Sequence, residues 1–284
     1  MVLAQKESTR ESPVWLDPNK EAPLGSSYHV FHSATVNRRV SCLVWLPPAY
    51  KRDHDRRFPV IYWLHGANGN QRMCAEKFLP FYTEMLKQKL APPAIVVAVN
   101  GIPLSLYGDS ADGKCPVESV IIKDLIPNID KEFRTIGTRE GRLIEGFSMG
   151  GCGAARLGFK YPDVFGAVVI NSAGPLGQSN GLPQLVKDVY GSPQAGRQEM
   201  PGQLAEKNAD VLRRKTRIRL AVGDADSLLA ANKSLHESLE KLEITHIYIE
   251  VPGVDHDPQK FYQTMGKRAF RFHLRAFGEN DPAE

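Results

Sequence analysis

Ser148 sits at the centre of Gly146-Phe147-Ser148-Met149-Gly150, a G-x-S-x-G pattern. Arg142-Leu143-Ile144-Glu145 reads as a strand entering it, and the small-residue run Gly151–Leu157 reads as a closely packed helix leaving it. In that setting the flanking glycines let the backbone turn sharply and lift the serine hydroxyl above a sheet, as a nucleophile elbow does. Without the strand and helix the same five residues would be an ordinary tight turn. A serine hydroxyl is a poor nucleophile until a positioned base takes its proton, and the base needs a carboxylate to hold its tautomer and stabilise its charged form. The chain should therefore supply an acid and then a histidine downstream of Ser148.

Of the eight histidines, His29, His32, His54 and His65 precede the serine. His236 falls on a charged helix face, His246 in an apparent strand and His273 in the final helix. His256 lies in Pro252-Gly253-Val254-Asp255-His256-Asp257-Pro258, a turn-rich loop after the last strand, and is the candidate base. The acid should come from Val222-Gly223-Asp224-Ala225-Asp226-Ser227, which offers two. Asp224 reads equally as a turn residue beside Gly223, and Asp226 as an N-cap for the helix that follows; the residues alone do not separate them. A tetrahedral intermediate also needs backbone donors at its oxyanion. One is expected from the amide of Met149, the other from the loop Trp63-Leu64-His65-Gly66-Ala67-Asn68-Gly69-Asn70, where His65 reads as a brace and not a base. Tyr107-Gly108-Asp109 reads either as a border of the site or as an ordinary loop.

The elements that must position these groups follow a regular alternation. Tyr28–Val36 and Arg39–Leu46 suit an antiparallel pair. Apolar runs at Pro59–Leu64, Ala94–Asn100, Arg142–Gly146, Phe165–Asn171, Ile218–Val222 and Ile244–Val251 suit strands covered on both faces. Helical patterns lie between them at Ala75–Leu90, Val117–Phe133, Gly151–Tyr161, Leu228–Leu242 and Gln259–Phe277. This predicts an α/β fold with about eight strands, mostly parallel, and helices on both faces. The Gly-, Pro- and Gln-rich segment 172–215, with helical patterns near Leu182–Tyr190 and Leu204–Arg214, interrupts the alternation and should overhang the active face, either as a cap over the pocket or as a decorated surface connection. Residues 1–27 read as an extended arm and 28–284 as one catalytic domain.

The 284 residues are 42% hydrophobic and 24% charged, which suits a soluble globular protein with a substantial core. A net charge of +4 is spread among acids without forming a basic tract, so nucleic-acid binding is not suggested. No run approaches a membrane span. Four irregularly spaced cysteines, with no C-x-x-C pair, suggest neither a disulfide framework nor a structural metal, and Cys152 reads as a small packing residue. Met1-Val2-Leu3-Ala4-Gln5 resembles the end of a signal-cleavage site, which leaves a cytoplasmic and a secreted reading both open.

Tyr62-Trp63-Leu64-His65-Gly66, Asp124-Leu125-Ile126-Pro127-Asn128-Ile129-Asp130, Gly146–Gly151, Gly223–Leu228 and the His256 loop together resemble the putative-esterase family of α/β-hydrolases that includes esterase D, feruloyl esterases and acetylxylan esterases. The resemblance runs from about Val40 to the C-terminal helix. It implies an α/β-hydrolase fold, a triad of Ser148, Asp226 and His256, and oxyanion amides at Ala67 and Met149, with no cofactor and no metal. The activity it implies is that of a serine carboxylesterase acting through an acyl-enzyme on small or aromatic acyl esters, of the feruloyl- or acetyl-carbohydrate type. An S-formylglutathione hydrolase-like thioesterase and a non-catalytic carbohydrate-binding relative are the alternatives. The loops 104–116 and 172–215 match no subfamily pattern.

Overall fold

The computed structural model describes residues 13–19, 21–23, 25–174 and 184–278. Eight strands, β1 (Ser27–Ser33), β2 (Arg38–Trp45), β3 (Val60–Leu64), β4 (Ile95–Ala98), β5 (Arg142–Phe147), β6 (Ala167–Asn171), β7 (Arg217–Gly223) and β8 (Ile247–Val251), form one sheet in the order β1-β2-β4-β3-β5-β6-β7-β8. The pairs β1/β2 and β2/β4 are antiparallel, and every pair from β4 through β8 is parallel. The expected eight-stranded, mostly parallel sheet with an antiparallel edge is what the chain forms.

Strand residues alternate between two apolar layers, as a sheet covered on both faces requires. Val60, Tyr62, Ile144, Val168, Ile170, Ile218 and Leu220 face one layer, together with Cys152 and Leu157 of the helix Met149–Lys160 and Leu235 and Leu239 of the helix Leu229–Lys241. Ile61, Trp63, Leu143, Val169 and Ala221 face the other, against the helices Leu79–Lys87, Pro258–Met265 and Lys267–Ala276. The arm joins the first layer. Trp15 is buried there, and its carbonyl accepts the Ser41 amide at 2.9 Å.

The expected helices exist, but several are broken where a backbone donor or a torsion changes. Ala75–Leu90 splits into Met73–Lys77 and Leu79–Lys87, with Pro80 unable to donate an amide hydrogen to the turn before it. Pro127 has the same effect within Val117–Phe133, where a π-helical stretch, Val120–Leu125, precedes Ile126–Glu132. Gln259–Phe277 breaks at Gly266, whose φ is 51°. In the insert, Leu204–Arg214 becomes Pro201–Lys207 and Ala209–Lys215, separated by Asn208, whose amide side chain donates to the Phe159 carbonyl at 2.8 Å. The described insert helices also include Gln184–Tyr190 and Pro193–Gln198. They pack beside Met149–Lys160, with Val186, Val189 and Leu204 in its apolar layer. Residues 175–183, where the pattern Leu182–Tyr190 begins, lie outside the described residues.

The Asp124–Asp130 motif is architectural. Asp124 accepts the Ser33 hydroxyl at 2.6 Å and the Thr35 amide at 3.1 Å, Asn128 meets His29 at 2.7 Å, and Asp130 accepts the Thr135 hydroxyl at 2.6 Å. It ties the antiparallel edge to the rest of the sheet.

Candidate active site

Strand β5 ends at Phe147 and the next helix begins at Met149, so Ser148 makes the whole turn. Its backbone is left-handed, with φ 61° and ψ −121°. This torsion costs a non-glycine residue on the order of 1–3 kcal/mol and persists only where the surroundings hold it. Here they do: the Ser148 amide donates to the Asn171 carbonyl at 3.0 Å, while the Ser148 carbonyl accepts from Cys152 at 3.0 Å and Gly174 at 3.2 Å. The flanking glycines, expected to make the sharp turn, are not where it falls. In the structure the unusual torsion falls on the serine, and Gly150 serves close approach instead, since a Cβ there would collide with the Leu64 carbonyl. The helix N-terminus thereby sits against the end of β3, beside the loop that follows it.

His256 reaches the serine from the loop after β8. Its Nε2 lies 2.8 Å from Ser148 Oγ, and its Nδ1 lies 2.8 Å from Asp226 Oδ2. With Nδ1–H donating to the carboxylate, Nε2 carries the lone pair and accepts the serine proton. Asp226 follows β7; its Oδ1 accepts the Leu228 amide at 2.8 Å, so one carboxylate orients the imidazole and also caps the following turn. Burial alone would raise the Asp226 carboxyl. The hydrogen bonds from His256 and the Leu228 amide, with the pull of the imidazole charge, outweigh it and hold the group below the usual aspartate value.

Asp224 has a different job. Its Oδ1 accepts the Gly253 amide at 2.7 Å, and its own amide donates to Val251 at 3.0 Å, pinning the His256 loop to the end of β7. On the far side of that loop Asp257 caps the helix Pro258–Met265 through the Gln259 and Lys260 amides at 2.8 and 2.9 Å. The Phe147 ring supports His256, with centroids 5.1 Å apart. Neither the Asp224 strut nor the Phe147 contact was legible in the chain, because each depends on a partner more than twenty residues away.

The loop after β3 lies against the elbow: a Cβ on Gly66 would stand 3.5 Å from Ser148 Cβ. His65 braces this loop, as its position suggested. The Gly101 amide donates to His65 Nε2 at 3.2 Å, so the neutral ring carries its hydrogen on Nδ1 and donates to the Gly66 carbonyl at 2.8 Å. The Gly66 carbonyl and the Ala67 amide belong to one planar trans peptide and point in opposite directions. Holding the carbonyl therefore aims the Ala67 amide. Burial pushes the His65 imidazole down to about 4, which keeps it neutral in this role. Ala67 is exposed, and Met149 is buried at the start of its helix, where the helix dipole favours negative charge.

Among the described residues no group of three or more His, Cys, Asp or Glu side chains is arranged to hold a metal ion, and no helix is long and apolar enough to cross a membrane. Cys152 is fully buried behind the elbow, and burial pushes its thiol up to about 12. Asp109 accepts the Ser119 amide at 2.9 Å and hydroxyl at 2.7 Å, securing the start of the helical segment at Val117.

Curated proteins and solved structures resemble this chain over most of its length. An esterase of Mycobacterium tuberculosis (strain H37Rv) is 29% identical over 255 residues, covering 80% of this chain and 54% of the relative, so the chain spans about half the length of that protein. A ferulic acid esterase superposes with a TM-score of 0.77 at 23% identity, over 89% of this chain and 98% of the other. An S-formylglutathione hydrolase from Agrobacterium tumefaciens superposes with a TM-score of 0.74 at 19% identity, over 91% of this chain and 98% of the other. At these identities the two structural likenesses are likenesses of fold. The family model described as "Putative esterase" matches residues 33–277, and the chain belongs to that family.

Proposed function

We propose that the protein is a serine carboxylesterase that hydrolyses small or aromatic acyl esters, of the feruloyl- or acetyl-carbohydrate type, through an acyl-enzyme. The observation that carries this reading is the continuous relay Ser148 Oγ, His256 Nε2, His256 Nδ1, Asp226 Oδ2, with both links at 2.8 Å and the serine in a left-handed turn. In the first half-reaction Ser148 Oγ attacks the ester carbonyl carbon while its proton passes to His256 Nε2. The imidazolium that forms is stabilised by Asp226, and the oxyanion lies between the amides of Ala67 and Met149. Collapse of the intermediate breaks the carbon–oxygen bond to the alcohol, which leaves with the proton from Nε2. Water then attacks the acyl-enzyme while giving a proton to His256 Nε2; collapse breaks the bond between the acyl carbon and Ser148 Oγ, which takes that proton back as the acid leaves.

The acyl preference rests on the likeness to a ferulic acid esterase, and the likeness to an S-formylglutathione hydrolase supports a thioester reading for the same machinery. A non-catalytic carbohydrate-binding role finds less support, since binding alone has no use for an aligned serine–histidine–carboxylate relay. The separating experiment is a matched measurement of kcat/KM on methyl ferulate, an acetylated xylo-oligosaccharide, p-nitrophenyl acetate and S-formylglutathione, with Ser148→Ala alongside each. The expected result is a preference for methyl ferulate or the acetylated oligosaccharide that disappears in the variant. A dominant thioester activity would replace the substrate assignment, and wild type no better than the variant on all four would overturn the esterase reading.

A further inference from the structure

The loop that aims the Ala67 amide is held from behind by one side chain that the proposed mechanism does not use. Tyr107 is fully buried, and its hydroxyl donates to the His65 carbonyl at 2.9 Å. That carbonyl lies at the seam between the two carriers of oxyanion donors: a Cβ placed on Gly150, one residue beyond Met149, would stand 2.8 Å from it. The tyrosine ring fills the space over Gly153, one turn beyond Met149 in the same helix, and lies 5.6 Å from the His65 ring. One phenol thus touches the loop through its hydroxyl and the helix through its ring.

The backbone of Tyr107 is fixed as firmly as its side chain. Its φ is 55°, a left-handed torsion that a bulky residue adopts only under constraint. Its amide donates to Ser105 Oγ at 3.0 Å, and its carbonyl accepts from Arg156 Nη1 at 3.0 Å. Arg156 is itself buried in the helix Met149–Lys160 and is ion-paired with Glu118 and with Glu199 of the insert. An apolar ring of the same shape would fill this space without a buried hydroxyl. The arrangement makes sense if the position of the His65 carbonyl must be set to a fraction of an ångström.

We infer that Tyr107 is a positioning residue for the oxyanion donors, acting through His65 to fix the Gly66–Ala67 peptide against the N-terminus of the helix that carries Met149. The inference rests on the proposed oxyanion role of Ala67 and Met149. A slackened peptide leaves ground-state binding largely intact and weakens the bond made to the oxyanion, so the deficit appears in kcat and not in KM.

The test uses Tyr107→Phe, which removes only the hydroxyl, with p-nitrophenyl acetate as substrate and phenylboronic acid as a tetrahedral mimic. The expected result is a kcat lower by about 10-fold, less than the loss of a whole oxyanion donor, with KM within about twofold and phenylboronic acid affinity lower in proportion to kcat. His65→Asn keeps a donor near the Gly66 carbonyl and loses the acceptor for Gly101. It should show the same split, and the double variant should lose no more than the worse single variant, as expected of two residues acting along one path. Should Tyr107→Phe not fold, His65→Asn alone carries the kcat and phenylboronic acid measurements. An unchanged kcat, a loss confined to KM, or losses that multiply fully in the double variant would overturn the inference. Ser148→Ala separates this outcome from failure of the esterase reading: activity surviving in Ser148→Ala removes the mechanism itself, whereas an inactive Ser148→Ala beside an unaffected Tyr107→Phe removes only the role of Tyr107.

Discussion

At the scale of single residues, groups that look alike in the sequence make different contacts in the fold. Asp224 and Asp226 are two positions apart, yet one holds a loop amide and the other the imidazole. Asp226→Asn would preserve size but favour the wrong histidine tautomer, and kcat is expected to fall by roughly 10³–10⁴-fold, while Ser148→Ala falls at least as far. Steady-state kinetics on p-nitrophenyl acetate checks both. His65 gives a pH prediction. Its folded pKa of about 4 lies below the unfolded value of about 6.5, so its contribution is fully present above pH ~6.5 and is lost as pH falls toward 4, because the unfolded chain takes up the proton first. The shift corresponds to about 3 kcal/mol across that window. Urea unfolding of wild type and His65→Asn between pH 4 and 7 should show a steeper acid decline in wild type; parallel curves would contradict the assignment.

At the scale of elements, the short loops after β3, β7 and β8 bring the proposed oxyanion donor, acid and base together because the parallel strands all deliver their C-terminal ends to one edge. Their positions relative to one another depend on struts between loops. Asp224→Ala should loosen the His256 loop and lower kcat/KM by roughly 10-fold, in line with the sensitivity of catalysis to small displacements, while the melting temperature changes little; unchanged activity would show that the loop holds itself. The strands and the elbow were legible in the sequence because continuous Val- and Ile-rich runs and a glycine-flanked serine are local signals. His256 was legible by elimination, from its place after the last strand. The choice between Asp224 and Asp226 was not legible from the residues, since both fit turn and cap chemistry equally and only the direction of each carboxylate separates them. The helix breaks at Phe78, Asn208 and Gly266 were missed because apolar periodicity continues through them, whereas the break follows from one absent amide hydrogen, one side chain that reaches another helix, or one positive φ.

At the scale of the whole molecule, a buried polar cluster ties the sheet to the C-terminal helices directly beneath the site. Glu145 on β5 meets His273 at 2.7 Å, the Tyr262 hydroxyl at 2.9 Å and Arg219 at 3.7 Å, and Asn171 joins Glu145 and Arg219 at 3.0 and 2.9 Å. The carbonyl of the same Asn171 accepts the Ser148 amide, so the cluster reaches the nucleophile turn through the backbone. Glu145→Gln would leave the Arg219 guanidinium buried without its counter-charge and is expected to destabilise the protein by about 3–5 kcal/mol in urea unfolding; a change below about 1 kcal/mol would show that the pair is replaceable, as buried ion pairs sometimes are. The central proposal is that Ser148 carries the acyl group during turnover. The most direct measurement is peptide mapping by mass spectrometry after rapid acid quenching of the protein mixed with p-nitrophenyl acetate. One acetyl group per chain on Ser148, absent from Ser148→Ala and accumulating in step with the release of p-nitrophenol, is the expected result. Acetylation of another residue in step with turnover, or hydrolysis that persists in Ser148→Ala, would contradict it.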